Sequence, residues 1–146
     1  MLKQLLIGFA FVAVLALPYM HDLNATGIIT TSNAAELGLG PQTSNERGIK
    51  VVVAPRNLSN EAQSWDFEIT LETHTQTLND DLAKSSALIA DGKRYAPLAW
   101  EGAPPGGHHR KGLLRFKAII PQPLSVELQI RLAGESTARS FQWLLK

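Results

Sequence analysis

From Arg47 to the C-terminus, large apolar side chains recur at every second position in one short segment after another. A β-strand points successive side chains to opposite faces of its sheet, so this spacing is typical of strands that bury only one face. In the clearest example, the run from Trp65 to Leu71, apolar residues alternate strictly with polar ones. The alternation argues against a helical body and predicts an all-β fold.

Turn signals separate the alternating segments. Asp91-Gly92 is typical of a two-residue hairpin, and Pro97 in the segment that follows indicates an edge strand, because proline cannot donate to a β-ladder. The expected strands are 49–53, 65–71, 86–89, 95–100, 114–120, 126–132 and 141–143. About seven strands joined by turns predict an immunoglobulin-like antiparallel β-sandwich, here without a cysteine pair. Only Leu78 to Lys84 is compatible with a helical turn.

The N-terminus has the pattern of an export or anchoring segment. Lys3 precedes an uninterrupted apolar run from Leu5 to Leu17, which Pro18 ends. The run is about 13 residues long, which suits a signal peptide and is shorter than the about 20 residues that span a bilayer. The apolar stretch extends to Met20 without an Ala-x-Ala site directly after it, so cleavage and retention both stay open. In either case the charge of Lys3 predicts a periplasmic or secreted body.

Composition divides the chain and excludes several functions. We expect a hydrophobic helix at 1–20 (signal peptide or membrane anchor), a Ser-, Thr- and Gly-rich linker at 21–46 and the sandwich domain at 47–146. With Lys3 set aside, basic and acidic side chains are equal in number, so nucleic acid is not an expected partner. Membrane contact is expected only through the N-terminal segment. The absence of cysteine excludes disulfides and thiolate metal sites.

One loop concentrates polar chemistry. The stretch from 100 to 110 contains two prolines and three glycines, which fit neither a helix nor a central strand. The stretch begins with Trp100 and Glu101 and ends with His108, His109 and Arg110, just before the next predicted strand. We predict that the loop from 101 to 111 is the working surface of a non-enzymatic binding or accessory module. The expected partner is another envelope or membrane protein.

An alternative is an envelope metal-binding protein that uses His74, His108 and His109. Imidazoles suit Zn²⁺ or Cu²⁺, and the two histidine segments would meet at one end of a sandwich. Adjacent residues of an extended chain point to opposite sides, so a shared ion requires a bend, which the preceding glycines permit. In the structural alternative, one imidazole binds backbone groups or stacks on Trp100 and the other faces water. Carboxylates available to complete a metal site are Glu72, Asp80, Asp81 and Glu101.

Other clusters favour structural roles over chemistry. No serine lies in a nucleophile-elbow sequence, and Asp80 and Asp81 are good N-cap residues for the helical turn, so we expect no enzyme. A basic strip at 110–117 could meet anionic lipid or an acidic partner. We favour a solvated sheet face, which needs no partner, and Glu127 on a neighbouring strand could equally neutralise the strip. The basic residues are Arg110, Lys111, Arg115 and Lys117.

Several motifs follow one another along the chain with a distinctive order and spacing. The run from Trp65 to His74 is followed by Asp91-Gly92, by Trp100-Glu101-Gly102 and by Pro-Gly-Gly-His-His-Arg-Lys-Gly at 105–112. These residues resemble an uncharacterised family of exported β-sandwich proteins with a Trp-Glu-Gly…Pro-Gly-Gly-His-His-Arg loop. The resemblance implies a small extracytoplasmic β-rich domain without a known reaction. Thr77 stands where that family carries an acidic residue, which removes a carboxylate near His74.

Overall fold

Two antiparallel sheets pack face to face in the computed structural model of the protein, which describes residues 38–146. The predicted signal peptide or anchor at 1–20 and most of the predicted linker lie outside the described residues. Within residues 38–146, no helix has the length and apolar character needed to cross a bilayer. The fold is therefore described for the sandwich and the short segment that leads into it.

The described residues form nine strands and one short helix. In chain order they are β1 (Gln42–Glu46), β2 (Ile49–Asn57), β3 (Ser64–Thr73), α1 (Leu82–Ser85), β4 (Ser86–Ala90), β5 (Lys93–Tyr95), β6 (Ala99–Gly102), β7 (His109–Lys117), β8 (Ser125–Ile130) and β9 (Arg139–Leu144). The first sheet has the order β1-β2-β3-β7-β6, and the second has the order β5-β4-β8-β9.

The strand order is that of an immunoglobulin-like sandwich. If β2, β3, β6 and β7 are taken as strands A, B, D and E, the first sheet reads A-B-E-D, as in that fold. The second sheet then reads C′-C-F-G, and β1 is an additional strand beside A. The predicted all-β, immunoglobulin-like antiparallel sandwich is confirmed.

The structure has nine strands where the sequence pattern predicted about seven. Strand β1 lies in the predicted linker and was missed because its sequence, Gln-Thr-Ser-Asn-Glu, has no large apolar side chain to set a period. The single strand predicted at 95–100 is divided at 96–98 into β5 and β6, which belong to different sheets. Both are edge strands, in agreement with the indication from Pro97.

The alternating apolar residues form the core between the sheets. Trp65, Phe67 and the next two apolar residues of β3 are fully buried, and they face the inner side chains of β8 and β9. The ring centroid of Phe67 lies 5.8 Å from that of Phe116, edge to face, and 5.5 Å from that of Trp143 in the other sheet. Each such side chain contributes about 1.5–3 kcal/mol by leaving water, so packing accounts for these aromatics.

The edge strands β1 and β9 are bonded to each other across the gap between the sheets. The side-chain amide of Gln42 donates to the carbonyl of Gln142, and the Gln142 N–H donates to Oε1 of Gln42 at 3.1 Å. The Nε1 of Trp143 donates to the carbonyl of Gly40 at 2.9 Å. These bonds join the two sheets along one side of the sandwich.

The core face of β9 begins with an arginine. Arg139 has the same parity as the aromatic core residues of β9, and its side chain is only 1% exposed. Its Nη2 lies 2.6 Å from Oε1 of Glu135, which is also buried. The remaining donors reach the carbonyls of Ile49 at 2.7 Å and Glu46 at 2.8 Å. This buried ion pair fastens β9 to the hairpin between β1 and β2.

We expect Arg139→Ala to lower the free energy of unfolding by about 3–5 kcal/mol, because it leaves the Glu135 carboxylate buried without its cation. Chemical denaturation of the full chain measures the change. The matched control is Arg94→Ala, an exposed arginine that bonds Gln129 on the second sheet. Its expected cost is below about 1 kcal/mol. Equally small losses in the two variants would contradict a buried, paired Arg139.

Candidate functional site

The histidines of the described residues lie at one end of the sandwich. Glu72, near the end of β3, pairs with His109 at the start of β7, so the segment after β3 and the loop before β7 are neighbours. The first contains His74 and the second contains His108. We call this the histidine end of the sandwich.

The loop from 103 to 108 is paired along its backbone despite its prolines and glycines. Leu78 donates its N–H to the carbonyl of Gly107 at 3.0 Å and accepts from the N–H of Gly106 at 2.7 Å. The carbonyl of His108 accepts from the N–H of Thr73 at 2.9 Å. Most of the loop is thus held to the segment after β3 as one strand is held to another.

A buried arginine fastens the loop from below. Arg110 is 2% exposed, and its Nη1 donates to the carbonyls of Leu78 at 3.2 Å and Asp80 at 2.6 Å. Its Nη2 donates to the carbonyl of Ala103 at 3.3 Å. One guanidinium therefore joins both segments of the histidine end. Hydrogen bonds from a charged donor are stronger than those between neutral groups.

The electrostatic environment of Arg110 reflects this burial. Burial lowers its pKa from the ordinary value of an arginine, and the charges of Asp80 and Asp81 oppose that effect. The guanidinium carbon also lies 5.6 Å from the ring centroid of Trp100, within cation–π range. The sequence suggested Arg110 as a binding residue, whereas the parity of β7 places it on the core face with Leu114. Its guanidinium holds the loop through hydrogen bonds to backbone carbonyls.

Trp100 covers a close approach between two strands. Gly102 of β6 and Gly112 of β7 are paired, and a Cβ placed on Gly112 would lie 2.6 Å from the Cα of Gly102 and 2.8 Å from Cη2 of Trp100. The indole lies over the space that the missing side chains leave, and its Nε1 donates to the carbonyl of Ala103 at 2.9 Å. Trp100 is half-buried and supports the loop, where the sequence suggested a ligand contact.

Two residues of the basic strip of β7 are paired with acidic residues of the same sheet. Arg115 binds both carboxylate oxygens of Asp66, at 2.8 and 3.1 Å, and Oε1 of Glu101 at 2.8 Å. These interactions raise the pKa of Arg115, with the Asp66 hydrogen bond the largest cause. Lys111 pairs with Glu68 at 3.2 Å. The solvated-face interpretation therefore fits the structure, and Glu101 of the predicted binding set is exposed and paired with Arg115.

Glu127, which the sequence offered as a neutralising residue for this strip, lies on β8 in the other sheet and does not pair with it. There its carboxylate accepts from the side chains of Gln129 at 2.8 Å, Ser140 at 2.7 Å and Gln142 at 3.3 Å. These hydrogen bonds lower the pKa of Glu127, against the opposing effect of burial. Alternation showed that Glu127 faces outward but not on which sheet.

The structure brings two of the three candidate metal ligands together. The ring centroids of His74 and His109 are 6.4 Å apart with the rings nearly perpendicular, and both residues are exposed. His108 is exposed as well, with its carbonyl bonded to β3. Among residues 38–146, no three or more His, Cys, Asp or Glu side chains form a group that could hold one metal ion.

The two aspartates of the histidine end have structural roles. Asp81 is the N-cap of α1 and accepts from the N–H of Ala83 at 3.1 Å, as the capping interpretation predicted. Asp80 instead accepts from the N–H of Ala133 at 2.7 Å, which ties the loop after β8 to the same end. Leu78, expected at the start of the helical turn, is the backbone partner of the glycine loop. The spacing of apolar residues around Leu78 gave no signal for this role.

The comparisons with known proteins identify no family. No family model and no curated protein matches the chain. Among solved structures, the chain is similar to MPT63, a secreted protein from Mycobacterium tuberculosis, with 16% sequence identity over 74% of this chain and 93% of that chain, and a TM-score of 0.44. Membership of the exported family inferred from the Trp-Glu-Gly loop stays a prediction.

We expect Arg110→Met to release the loop, because methionine fills similar space without the three donors. Loss of hydrogen bonds from a charged group should lower the free energy of local opening by about 1.5–3 kcal/mol. Faster hydrogen exchange at the amides of Leu78 and Gly106 is the readout. Arg131→Met, at an exposed arginine of the same end, is the control and should leave both amides protected. Unchanged protection in Arg110→Met would contradict the role of the buried guanidinium.

Proposed function

We propose that the protein is an extracytoplasmic, non-enzymatic binding or accessory module whose binding surface is the histidine end. The positive residue and apolar run at 3–17 support a location outside the cytoplasm. The body would then stand in the periplasm or outside the cell, where another envelope or membrane protein can reach it.

The observation that carries this proposal is the ordered state of an exposed loop. Pro104, Pro105, His108 and His109 are exposed, yet the loop beneath them is fixed by backbone pairing and by Arg110. Burying a guanidinium costs free energy unless its donors are satisfied, and a plain connection between strands does not require one. A loop that is already ordered binds with a smaller loss of conformational entropy.

The charges near the loop indicate how such a surface would recognise a partner. Lys111 and Arg115 are paired with acidic residues of β3 and β6, so the adjoining sheet face has little attraction for polyanions. The exposed imidazoles and proline rings offer hydrogen bonds and apolar contacts instead. This chemistry suits a folded protein surface. It also favours binding over hydrolysis, since both aspartates of this end are engaged with backbone amides.

Site-specific photocrosslinking in the cells that make the protein tests the proposal. A photoreactive residue replaces Pro105, and we expect one discrete covalent product with another envelope or membrane protein. The same residue at Thr43, exposed on β1, is the control and should give no such product. Adding His108→Ala and His109→Ala should reduce the yield at 105. Equal products from 105 and 43, or none from 105, would contradict the proposed surface.

The metal alternative is favoured by the proximity of His74 and His109 alone. Two imidazoles can bind Zn²⁺ or Cu²⁺ when water or an added ligand completes the coordination. Such a site is open, and we expect it to bind more weakly than a site with four protein ligands. It would place a cation beside the exposed loop and so would serve the same surface.

Calorimetric titration of the full chain with Zn²⁺ and with Cu²⁺ tests this alternative. All variants carry His21→Ala, which removes the remaining histidine. A two-imidazole site predicts one-to-one binding that His74→Ala or His109→Ala abolishes and His108→Ala retains. If the chain that carries only His21→Ala binds no metal, or if all three further variants lose binding equally, a site formed by His74 and His109 is contradicted.

A further inference from the structure

The end of the sandwich opposite the histidines carries exposed apolar side chains. Here β3, β8 and β6 begin and β7 and β9 end. Every exposed large apolar residue among residues 38–146 lies in this half of the sandwich. We call the set the apolar end: Leu98, Ile120, Leu124 and Leu144.

Two of these side chains lie on neighbouring segments. The N–H of Leu145 donates to the carbonyl of Leu124 at 2.8 Å, and Leu144 pairs with Ser125, so residues 124 and 144 are adjacent across β8 and β9. Each of the two is 67% exposed. Exposed apolar residues are ordinary when scattered singly, whereas an adjacent pair in the half of the domain that holds all four suits a surface that is covered in use.

The chain enters the sandwich at this same end. Strand β1 runs from Gln42, beside β9, towards the histidine end, so residues 38–41 approach from the apolar end. The carbonyl of Gly40 accepts from the Nε1 of Trp143, the next-to-last residue of β9, which fixes the point of entry. Only residues 18–37 separate this point from the apolar run that ends at Leu17. Retention of that run in a bilayer would tether the sandwich to the membrane through its apolar end.

The charges of the apolar end have both signs. Lys93, Lys117 and Lys146 lie there, and so do Glu61 and Asp91 in the adjoining turns. The excess of one basic side chain is small, so the attraction of this end to a membrane rests mainly on its leucine and isoleucine side chains. Such side chains insert into the boundary between headgroups and acyl chains.

We propose that the apolar end is the membrane-facing surface of the protein and that it rests on the lipid bilayer from which the N-terminal segment emerges. The inference rests on the extracytoplasmic location proposed above and on retention of residues 2–20. It extends to the sandwich a membrane contact that the sequence predicted only for the N-terminal segment. It also assigns an orientation to the molecule, with the histidine end directed away from the membrane towards its partner.

Fluorescence quenching by lipid tests this orientation. The chain has no cysteine, so Leu124→Cys, Leu144→Cys and, as the control at the histidine end, Thr77→Cys each accept a single environment-sensitive dye. The full-length variants are reconstituted in phosphatidylcholine vesicles that contain nitroxide-labelled lipid. We expect a blue shift and strong quenching at 124 and 144 and neither at 77. Equal quenching at the three positions, or none at 124 and 144, would overturn the proposal.

Two further arms separate the bilayer from other occupants. A second copy of the chain would give a blue shift that falls as protein is diluted into more lipid, without nitroxide quenching, and this outcome also overturns the proposal. Leu144→Asp should abolish most of the quenching of a dye at 124, whereas Thr43→Asp, on exposed β1, should not. Quenching only in vesicles with phosphatidylglycerol would make the attraction electrostatic and contradict its apolar basis. None of these readouts depends on the crosslinking at position 105.

Discussion

The histidine end depends on the hydrogen bonds that the buried guanidinium of Arg110 donates to its backbone carbonyls. A loop of glycines and prolines has few side chains with which to pack and gains little from hydrophobic burial. Its order here comes from hydrogen bonds, and Arg110 supplies the donors that backbone pairing alone does not. The cation is held among backbone carbonyls and beside the Trp100 ring, without a carboxylate in direct contact, and only its Nε lacks a hydrogen-bond acceptor. The exposed imidazoles of the loop are positioned by the backbone pairing and the Arg110 hydrogen bonds beneath them.

Arg139 solves a related problem with different chemistry. Like Arg110, it lies on the core face near the start of a strand and binds carbonyls of distant segments, but its charge is paired with Glu135 inside the protein. Both arginines lie where a sheet ends and the apolar core stops. At such a border, carbonyls of turns are partly shielded from water and need donors. A long side chain with a fork of donors reaches several of them at once.

The alternation of apolar and polar residues with a period of two predicted most of the fold. It located the buried faces of β2, β3, β7, β8 and β9, and with the turn signals it identified the sandwich. It could not detect β1, whose side chains are small or polar and whose place depends on pairing with β2. Nor could it show that the segment around Pro97 passes from one sheet to the other. The same period contained a signal for both buried arginines, because Arg110 and Arg139 share the parity of the core residues that follow them. A charged side chain was assigned to the surface by its type, although its position indicated the interior.

The hydrogen bonds between Gln42 and Gln142 affect how the chain can associate with other copies of itself. A sheet ends in a row of unpaired N–H and C=O groups, and such an edge can pair with an edge of another molecule. In this protein the amide of one glutamine imitates a peptide group of a neighbouring strand and occupies both backbone groups of Gln142. The edge of β9 is therefore occupied at that residue from within the same chain. In a sandwich without a disulfide between its sheets, this contact both joins the two sheets and makes the β9 edge less available for pairing with another molecule at that residue.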